Sequence, residues 1–511
     1  MEHPDLAQFA AVLAAAGAAL LLAGRGRTAM LGALTLLALG EAGLASSSAD
    51  LDRLDALASP AGALAVVLGL SVLAGAAALL ARRPAWVPIA VLAAAPLRPP
   101  IAFDTSGGFP LTLAEDGQLG RLLPLYFVLA AAALALAWRA ARSDRIETGA
   151  ARALPRVVAY PAAAFIAYAA LSVLWADSLE QGVELLAYFT LPFALLLGVV
   201  ARAPFPDWGP GALARVGIGL AVAFAAVGLY QSITHELLFF APNLEVSNAN
   251  SDFFRVTSLF GDPSLYGRHV VLGIGVLLVL LALQRVDLRL GVGLLAVMWA
   301  GLLFSYSQSS MVALVAITLG VAVATGGRSV RLLVVGGVTL VTLLGVGYMV
   351  ASVAVRNESL RTVTADRSER VEDTIRVVED KPLLGVGLGG QPRASRQLAG
   401  SDRPTPTFVS HTTPLTVAAE LGLVGLLLYT WLLVGGARAI MAVRRLEPAM
   451  GLALGAAFVG LFVHALFYSG FLEDPLTWVV LGVAAGQLTW TRIDDGVHRE
   501  QPHSDPTAAA A

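Results

Sequence analysis

Residues 410–433 read SHTTPLTVAAELGLVGLLLYTWLL. A short polar segment containing His411 gives way, after Pro414, to an apolar run interrupted by one carboxylate, Glu420. A helical membrane span needs about 20 predominantly apolar residues, and runs of that kind recur along the whole chain. The chain has 511 residues, 57% hydrophobic and 14% charged, with a mean hydropathy of +0.74. That balance excludes a soluble globule and indicates a polytopic membrane protein. The absence of cysteine excludes disulfides and thiolate metal sites. A net charge of −2 carries no nucleic-acid signal. The start, MEHPDLAQFAAVL, lacks the basic leader of a cleaved signal peptide, so the first apolar run is read as a retained span.

By the length criterion there are about fifteen candidate spans. They centre near residues 15, 37, 70, 93, 130, 165, 191, 221, 274, 298, 317, 341, 425, 460 and 482. The fourth contains prolines and the tenth is short. The predicted fold is all-α: a polytopic helical membrane protein of about 12–15 transmembrane helices. Arginines fall in alternate loops: Arg25/Arg27, Arg82/Arg83, Arg139/Arg142/Arg145, Arg285/Arg289, Arg328/Arg331, Arg438/Arg444/Arg445 and Arg492. Positive residues translocate poorly. The N-terminus is therefore expected outside, the C-terminus in the cytoplasm and the intervening loops on the exoplasmic face.

Five segments follow from this pattern. Residues 1–150 hold N-terminal spans with no recognised motif. Residues 151–352 form a core that includes an outer loop, 232–264. Residues 353–413 form a long exoplasmic loop, 414–490 the C-terminal spans, and 491–511 a polar cytoplasmic tail expected to be disordered.

The long loop departs from the arginine rule. It carries eight arginines, the chain's single lysine (Lys381) and eight acids. Most of these charges read as a solvated surface pairing with itself. Within it, DRSERVEDTIRVVEDKP (366–382) places Val371, Ile375 and Val378 at helical spacing, an amphipathic helix ended by Pro382. Asp366 and Glu372 stand four residues before Arg370 and Arg376, as helical ion-pair partners do. Arg367 has no such partner and falls on the apolar stripe. A guanidinium there calls for an anion from elsewhere, and phosphate suits its fork.

The shorter outer loop contains FFRVTSLFGDPSLYGRHVVLG (253–273). Asp262 is positioned to cap the next helix with Pro263 at its first turn. Arg268 reads either as a snorkelling interfacial residue or as a supporting cation. Arg255, flanked by aromatic and apolar residues on an outer face, has no topogenic explanation.

These stretches together resemble the O-antigen ligase and polymerase family of membrane glycosyltransferases. RVTSLFGDPSLYGRHVVLG resembles its Arg–Gly–x–Phe–Gly–Asn–Pro–Asn segment. SYSQSSMVALVAITLGV (305–321) resembles its Ser–x–x–Arg–Gly/Ser span start. RSERVEDTIRVVEDKPLLGVGLGG (367–390) resembles its arginine helix and Pro–Leu–Leu–Gly–Val–Gly–x–Gly. SHTTPLTVAAELGLVG resembles its His–Asn/Ser–x–x–Leu…Glu–Leu–Gly–x–x–Gly span. The ordered set carries the resemblance; GVGLGG alone is no dinucleotide signal without a βαβ context. Asp262–Pro263–Ser264 replaces the usual Asn–Pro–Asn, Val371 the frequent tryptophan, and Gln308 or Ser309 the usual arginine.

The resemblance implies a transferase that moves a glycan from an undecaprenyl-pyrophosphate carrier to an acceptor hydroxyl of a glycan, lipid or protein, with no metal or cofactor. It implies roles for Arg255 and Arg367 on the pyrophosphate and for His411 in catalysis, with Arg370 as the alternative helix arginine. Arg268 and Asp262 are supporting candidates. A histidine, with an unperturbed pKa of about 6.5, suits proton transfer from the acceptor. Glu420, nine residues on, is expected on the opposite helix face and paired with another helix. Two other readings are a transporter or flippase of lipid-linked oligosaccharide, which would place charge at mid-membrane and show repeats, and a non-catalytic partner in polysaccharide export.

Overall fold

The computed structural model describes residues 3–48, 59–103, 111–113, 120–142, 152–239, 241–334, 336–337 and 367–500. Eleven helices among them are long and apolar enough to cross a membrane. The first three are α1 (Pro4–Ala23), α2 (Gly26–Ser48) and α3 (Pro60–Arg82). The fourth candidate span is only a short helix, α4 (Val87–Ala94), followed by an extended Pro-rich segment. Pro96, Pro99 and Pro100 cannot donate the backbone bonds that would prolong it. Among the described residues a two-stranded ribbon, β1 (Ile101–Phe103) and β2 (Leu111–Leu113), adds to the all-helical expectation.

The core follows. After α5 (Leu123–Arg142), which ends the N-terminal spans, it comprises α6 (Arg156–Leu171), α7 (Leu179–Leu185) and α8 (Leu191–Ala201). Next come α9 (Gly209–Thr234), the short α10 (Pro242–Ala249) and α11 (Pro263–Ala282). α12 (Leu288–Leu303) is the short tenth span, and α13 (Gln308–Thr325) completes this part. The span expected near 341 lies outside the described residues. Two small helices, α14 (Arg367–Asp380) and α15 (Gln391–Leu398), precede α16 (Thr413–Leu446), α17 (Pro448–Ala465) and α18 (Pro475–Glu500).

α18 runs as helix to Glu500, into the segment expected to be a disordered tail.

Two apolar cores build the bundle. The larger joins α1, α2, α5, α6 and α8 to α16 and α18. The smaller joins α9, α11, α12 and α13, with Ala456 of α17 at the seam. A third, formed by Val377, Val386, Ala394 and Ala419, fastens α14 and α15 to α16.

That third core depends on a break in α16. Gly422 has φ 64° and ψ −166°, so the helix is interrupted inside the long apolar run. The break frees backbone groups that lipid could not satisfy. Residues 382–387 satisfy them: Leu423 N–H donates to Pro382 O (2.8 Å), Val386 N–H to Ala419 O (3.0 Å) and Gly387 N–H to Glu420 O (2.8 Å). Here the glycines of PLLGVGLGG have a steric cause. Gly385 and Gly387 take φ +70° and +82°, and a Cβ would stand 2.3 Å from Glu420 O at Gly385 and 2.3 Å from Ala176 Cα at Gly387. The same segment reaches the turn before α7, where Asp177 N–H donates to Val386 O (2.8 Å) and Lys381 pairs with Asp177 (3.0 Å).

Candidate active site

The site is built at the end of the bundle where α11, α13, α16 and α18 begin and α9, α12 and α17 end. α14 lies across it. The side of α14 turned to the protein is Arg370, Thr374 and Val377; Thr374 and Val377 are fully buried. The expected inward stripe is therefore corrected. Val371 and Ile375 are exposed from the protein, at 38% and 40%. The register rotates because Val377, not Ile375, enters the small core with Val386 and Ala419.

Gln391, 1% exposed, locks this helix to the segment before His411. Its amide donates to Thr374 Oγ1 (3.3 Å), Ser395 Oγ (2.8 Å) and Phe408 O (2.9 Å), and its Oε1 accepts from Ser410 N–H (3.1 Å). Thr412 Oγ1 donates to Leu466 O (3.2 Å), tying the next residue to the turn after α17. His411 is thus fixed from both sides. It receives a hydrogen bond from the Arg370 guanidinium on Nε2. An accepting Nε2 makes the imidazole neutral, with its proton on Nδ1. Arg367 opens α14, and its side chain lies outside the description. Its position seven residues before Thr374 puts its Cα on the same side of the helix. Glu372 pairs with Arg376 (2.6 Å), as the spacing predicts. Asp366 lies outside the described residues.

Arg255 sits on the neighbouring rim. Asn248 brackets its backbone, accepting from its N–H (3.0 Å) and donating to its carbonyl (3.0 Å). Its Nε donates to Ser305 O (3.3 Å). Buried Gln231 fixes the next turn, accepting from Thr257 N–H (3.1 Å) and Ser258 N–H (2.6 Å). A crevice of about 880 Å³ lined by Phe304, Tyr306, Ser307, Gln308 and Phe467 connects this rim to the turn that holds Thr412.

Arg268 does not snorkel. It is 3% exposed and paired with Asp474 in the interior. It also donates to His464 Nδ1 (3.2 Å), Gly470 O (3.2 Å) and Ser469 O (3.4 Å). His464 Nε2 lies 3.1 Å from Ser309 Oγ and 3.2 Å from Ser264 O. These bonds join α11, α13, α17 and the turn before α18. Asp262 caps α11 as expected, accepting from Ser264 N–H (2.7 Å) and Leu265 N–H (3.0 Å). Asp474 repeats the device before Pro475, accepting from Leu476 N–H (2.8 Å).

Glu420 is 7% exposed and its side chain meets the backbone N–H groups of Gly389 and Gln391 at the start of α15. It pairs with another helix, as expected, but through that helix's N-terminus, where orphan donors favour a carboxylate. Helical rotation from His411 is not the reason, since α16 begins only at Thr413.

Sequence reasoning missed Gln391, Gln231, His464 and the role of Asp474. For His464 a signal existed, since an ionisable residue within an apolar span marks a special site. Among the described residues no cluster of three or more His, Asp or Glu side chains could hold a metal ion.

Residues 293–430 match the sequence profile of a family described as O-Antigen ligase. No curated protein matches the chain. The profile covers most of α12, then α13, α14, α15 and the N-terminal half of α16, and therefore Arg370, Gln391, His411 and the break at Gly422.

Proposed function

We propose, from the premise that this chain belongs to the O-antigen ligase family, that it transfers a glycan from an undecaprenyl-pyrophosphate carrier to an acceptor hydroxyl on the exoplasmic face. Glycan transfer of the O-antigen ligase type in polysaccharide biosynthesis is what the profile match supports. The observation that carries the finer reading is the Arg370–His411 contact, set beside the rim that bears Arg255.

In this mechanism Arg255 and Arg367 grip the pyrophosphate. The bond between the sugar's anomeric carbon and the phosphate oxygen breaks, and its electron pair leaves with the pyrophosphate. Guanidinium groups held at that oxygen stabilise the charge as it develops, where water is scarce and the Coulomb interaction is strong. The acceptor oxygen attacks the anomeric carbon, and its proton passes to His411 Nε2. In the resting site that lone pair is occupied by Arg370. The incoming pyrophosphate is a stronger partner for a guanidinium than a neutral imidazole. Donor binding therefore draws Arg370 away and frees the base. Asp262 and the Arg268–Asp474 pair act as positioning groups beneath the rim.

The test is glycan transfer from purified undecaprenyl-pyrophosphate oligosaccharide in proteoliposomes, wild type beside Arg255→Ala, Arg367→Ala, Arg370→Ala and His411→Ala. The reading requires donor consumption by wild type and stalled, folded variants. Flux of the donor without transfer, or variants equal to wild type, would overturn it in favour of transport or an accessory role.

A further inference from the structure

A second feature lies away from the site's polar residues. A groove of about 880 Å³ runs along the bundle between α9, α11, α17 and α18, with α4 at its edge. Pro96, Phe224 and His269 line it at the site end, and Arg285 and Glu447 at the far end. Its middle is lined by aliphatic side chains of these helices. On α9 it is floored by Gly217 and Gly219, and a Cβ at either would meet nothing within 4 Å. The two glycines widen the groove on α9, whose Ile218, Leu220 and Val222 also line it. Three of its walls, α9, α11 and α17, are helices long and apolar enough to cross a membrane. An apolar groove at that depth has too few polar partners to hold water, and its natural occupant is a lipid chain.

Arg285 lines the far mouth, and Arg98 stands two residues beyond Pro96, which lines the near one. Arg98, on the extended segment after α4, is half-buried and stands within electrostatic reach of His269, Tyr468 and Tyr126. Among the described residues its guanidinium makes no hydrogen bond or ion pair. The Arg285 side chain at the far mouth likewise makes none among them, although it lines the groove. An apolar path with an unengaged guanidinium at each mouth is complementary to phosphate-headed lipids entering from both sides. A single long chain with one head would meet only one of the two.

We propose that this groove is a phospholipid site, occupied by one lipid from each leaflet with their phosphates at Arg98 and Arg285. The lipid at the Arg98 mouth rests against Phe224. That residue's ring packs on Phe260 and His269, and its carbonyl accepts from Ser258 Oγ (2.8 Å). The lipid thereby forms the floor under the turn that follows Arg255.

The test needs no glycan donor, so it stands or falls apart from the transfer reading. The full chain is reconstituted into vesicles of phosphatidylethanolamine and phosphatidylglycerol, re-extracted in mild detergent, and its bound phospholipid counted by native mass spectrometry. Wild type should retain two phospholipids. Arg98→Gln and Arg285→Gln should each retain one, and Gly219→Leu, which fills the groove from an open position, should lose retention. A folded wild type that retains none, or variants with unchanged retention, would overturn the proposal. So would a protein isolated from its native membrane that carries a polyprenyl phosphate in the groove instead.

Discussion

Arg370 donates a hydrogen bond to His411 Nε2, so the two residues of the long loop that sequence placed 41 positions apart form one unit. The contact is held from behind by Gln391, which bonds to Thr374 one turn beyond Arg370 and to Ser410 beside His411. The same neutral imidazole that would serve as base is therefore tied to the cation that would bind the donor.

That coupling sets the first prediction. His411→Ala should lower the transfer rate constant by about 10²–10⁴-fold, the usual contribution of general base catalysis, with little change in donor KM. Arg370→Ala should raise donor KM as well as lower kcat, because it removes a phosphate contact along with the base's partner. Steady-state kinetics over a range of donor concentrations separates the two patterns. A pure KM effect at His411 would remove it from the chemical step.

Gln391 is a support rather than a participant. Gln391→Ala leaves Ser410 N–H without its acceptor, and a buried polar group left unpaired costs about 1–3 kcal/mol. The thermal midpoint in detergent should fall. Donor-binding affinity should fall with it, since Arg370 and His411 lose their common frame. Unchanged affinity would separate the frame from the site.

The break in α16 gives a sharper steric test. An alanine at Gly422 would put its Cβ 2.2 Å from Leu383 O, at a φ of +64° that L residues rarely adopt. Strain of that backbone kind alone costs of order 1–3 kcal/mol, and the clash with a paired segment adds to it. Gly422→Ala should reduce folded yield in the membrane, whereas Gly320→Ala, with nothing within 4 Å of its Cβ, should not. Equal yields would mean that residues 382–387 are not docked on the break.

Much of this architecture is legible in the sequence because membrane spans are set by length and apolarity alone. The Asp262–Pro263 cap is legible for a local reason: an aspartate before proline satisfies the first orphan donors within three residues. The facing of α14 is not. Val371, Ile375 and Val378 mark a side that prefers to leave water, but periodicity does not say whether protein or lipid covers it. The pairing that consumes Arg268 is equally hidden, since Asp474 lies 206 residues away. PLLGVGLGG reads as a loop until the break at Gly422, with backbone groups to satisfy, is placed beside it.

The Arg268–Asp474 pair predicts an asymmetry. Removing one partner of a buried ion pair leaves the other uncompensated and costs about 3–5 kcal/mol. Asp474→Ala and Arg268→Ala should both be strongly destabilised, and the double variant should be less so than the sum of the two. A double-mutant cycle on thermal unfolding measures the coupling. Additive effects would show that the pair does not brace α11 against the turn before α18.

Glu473, beside that pair, predicts a pH dependence. Burial pushes its carboxyl above the ordinary range, against the opposing pull of Arg268. The folded state then binds its proton more tightly than the unfolded chain, whose glutamate titrates near about 4.3. Its favourable contribution is complete below that value and is lost as pH rises through the raised folded value. Glu473→Gln keeps the neutral form at every pH. It should match wild type in acid and unfold at a higher temperature than wild type near neutrality. Thermal unfolding in detergent across this pH range checks the crossing. A variant less stable than wild type at neutral pH would mean that the Glu473 carboxylate is a needed partner of Arg268 rather than a burden on the fold.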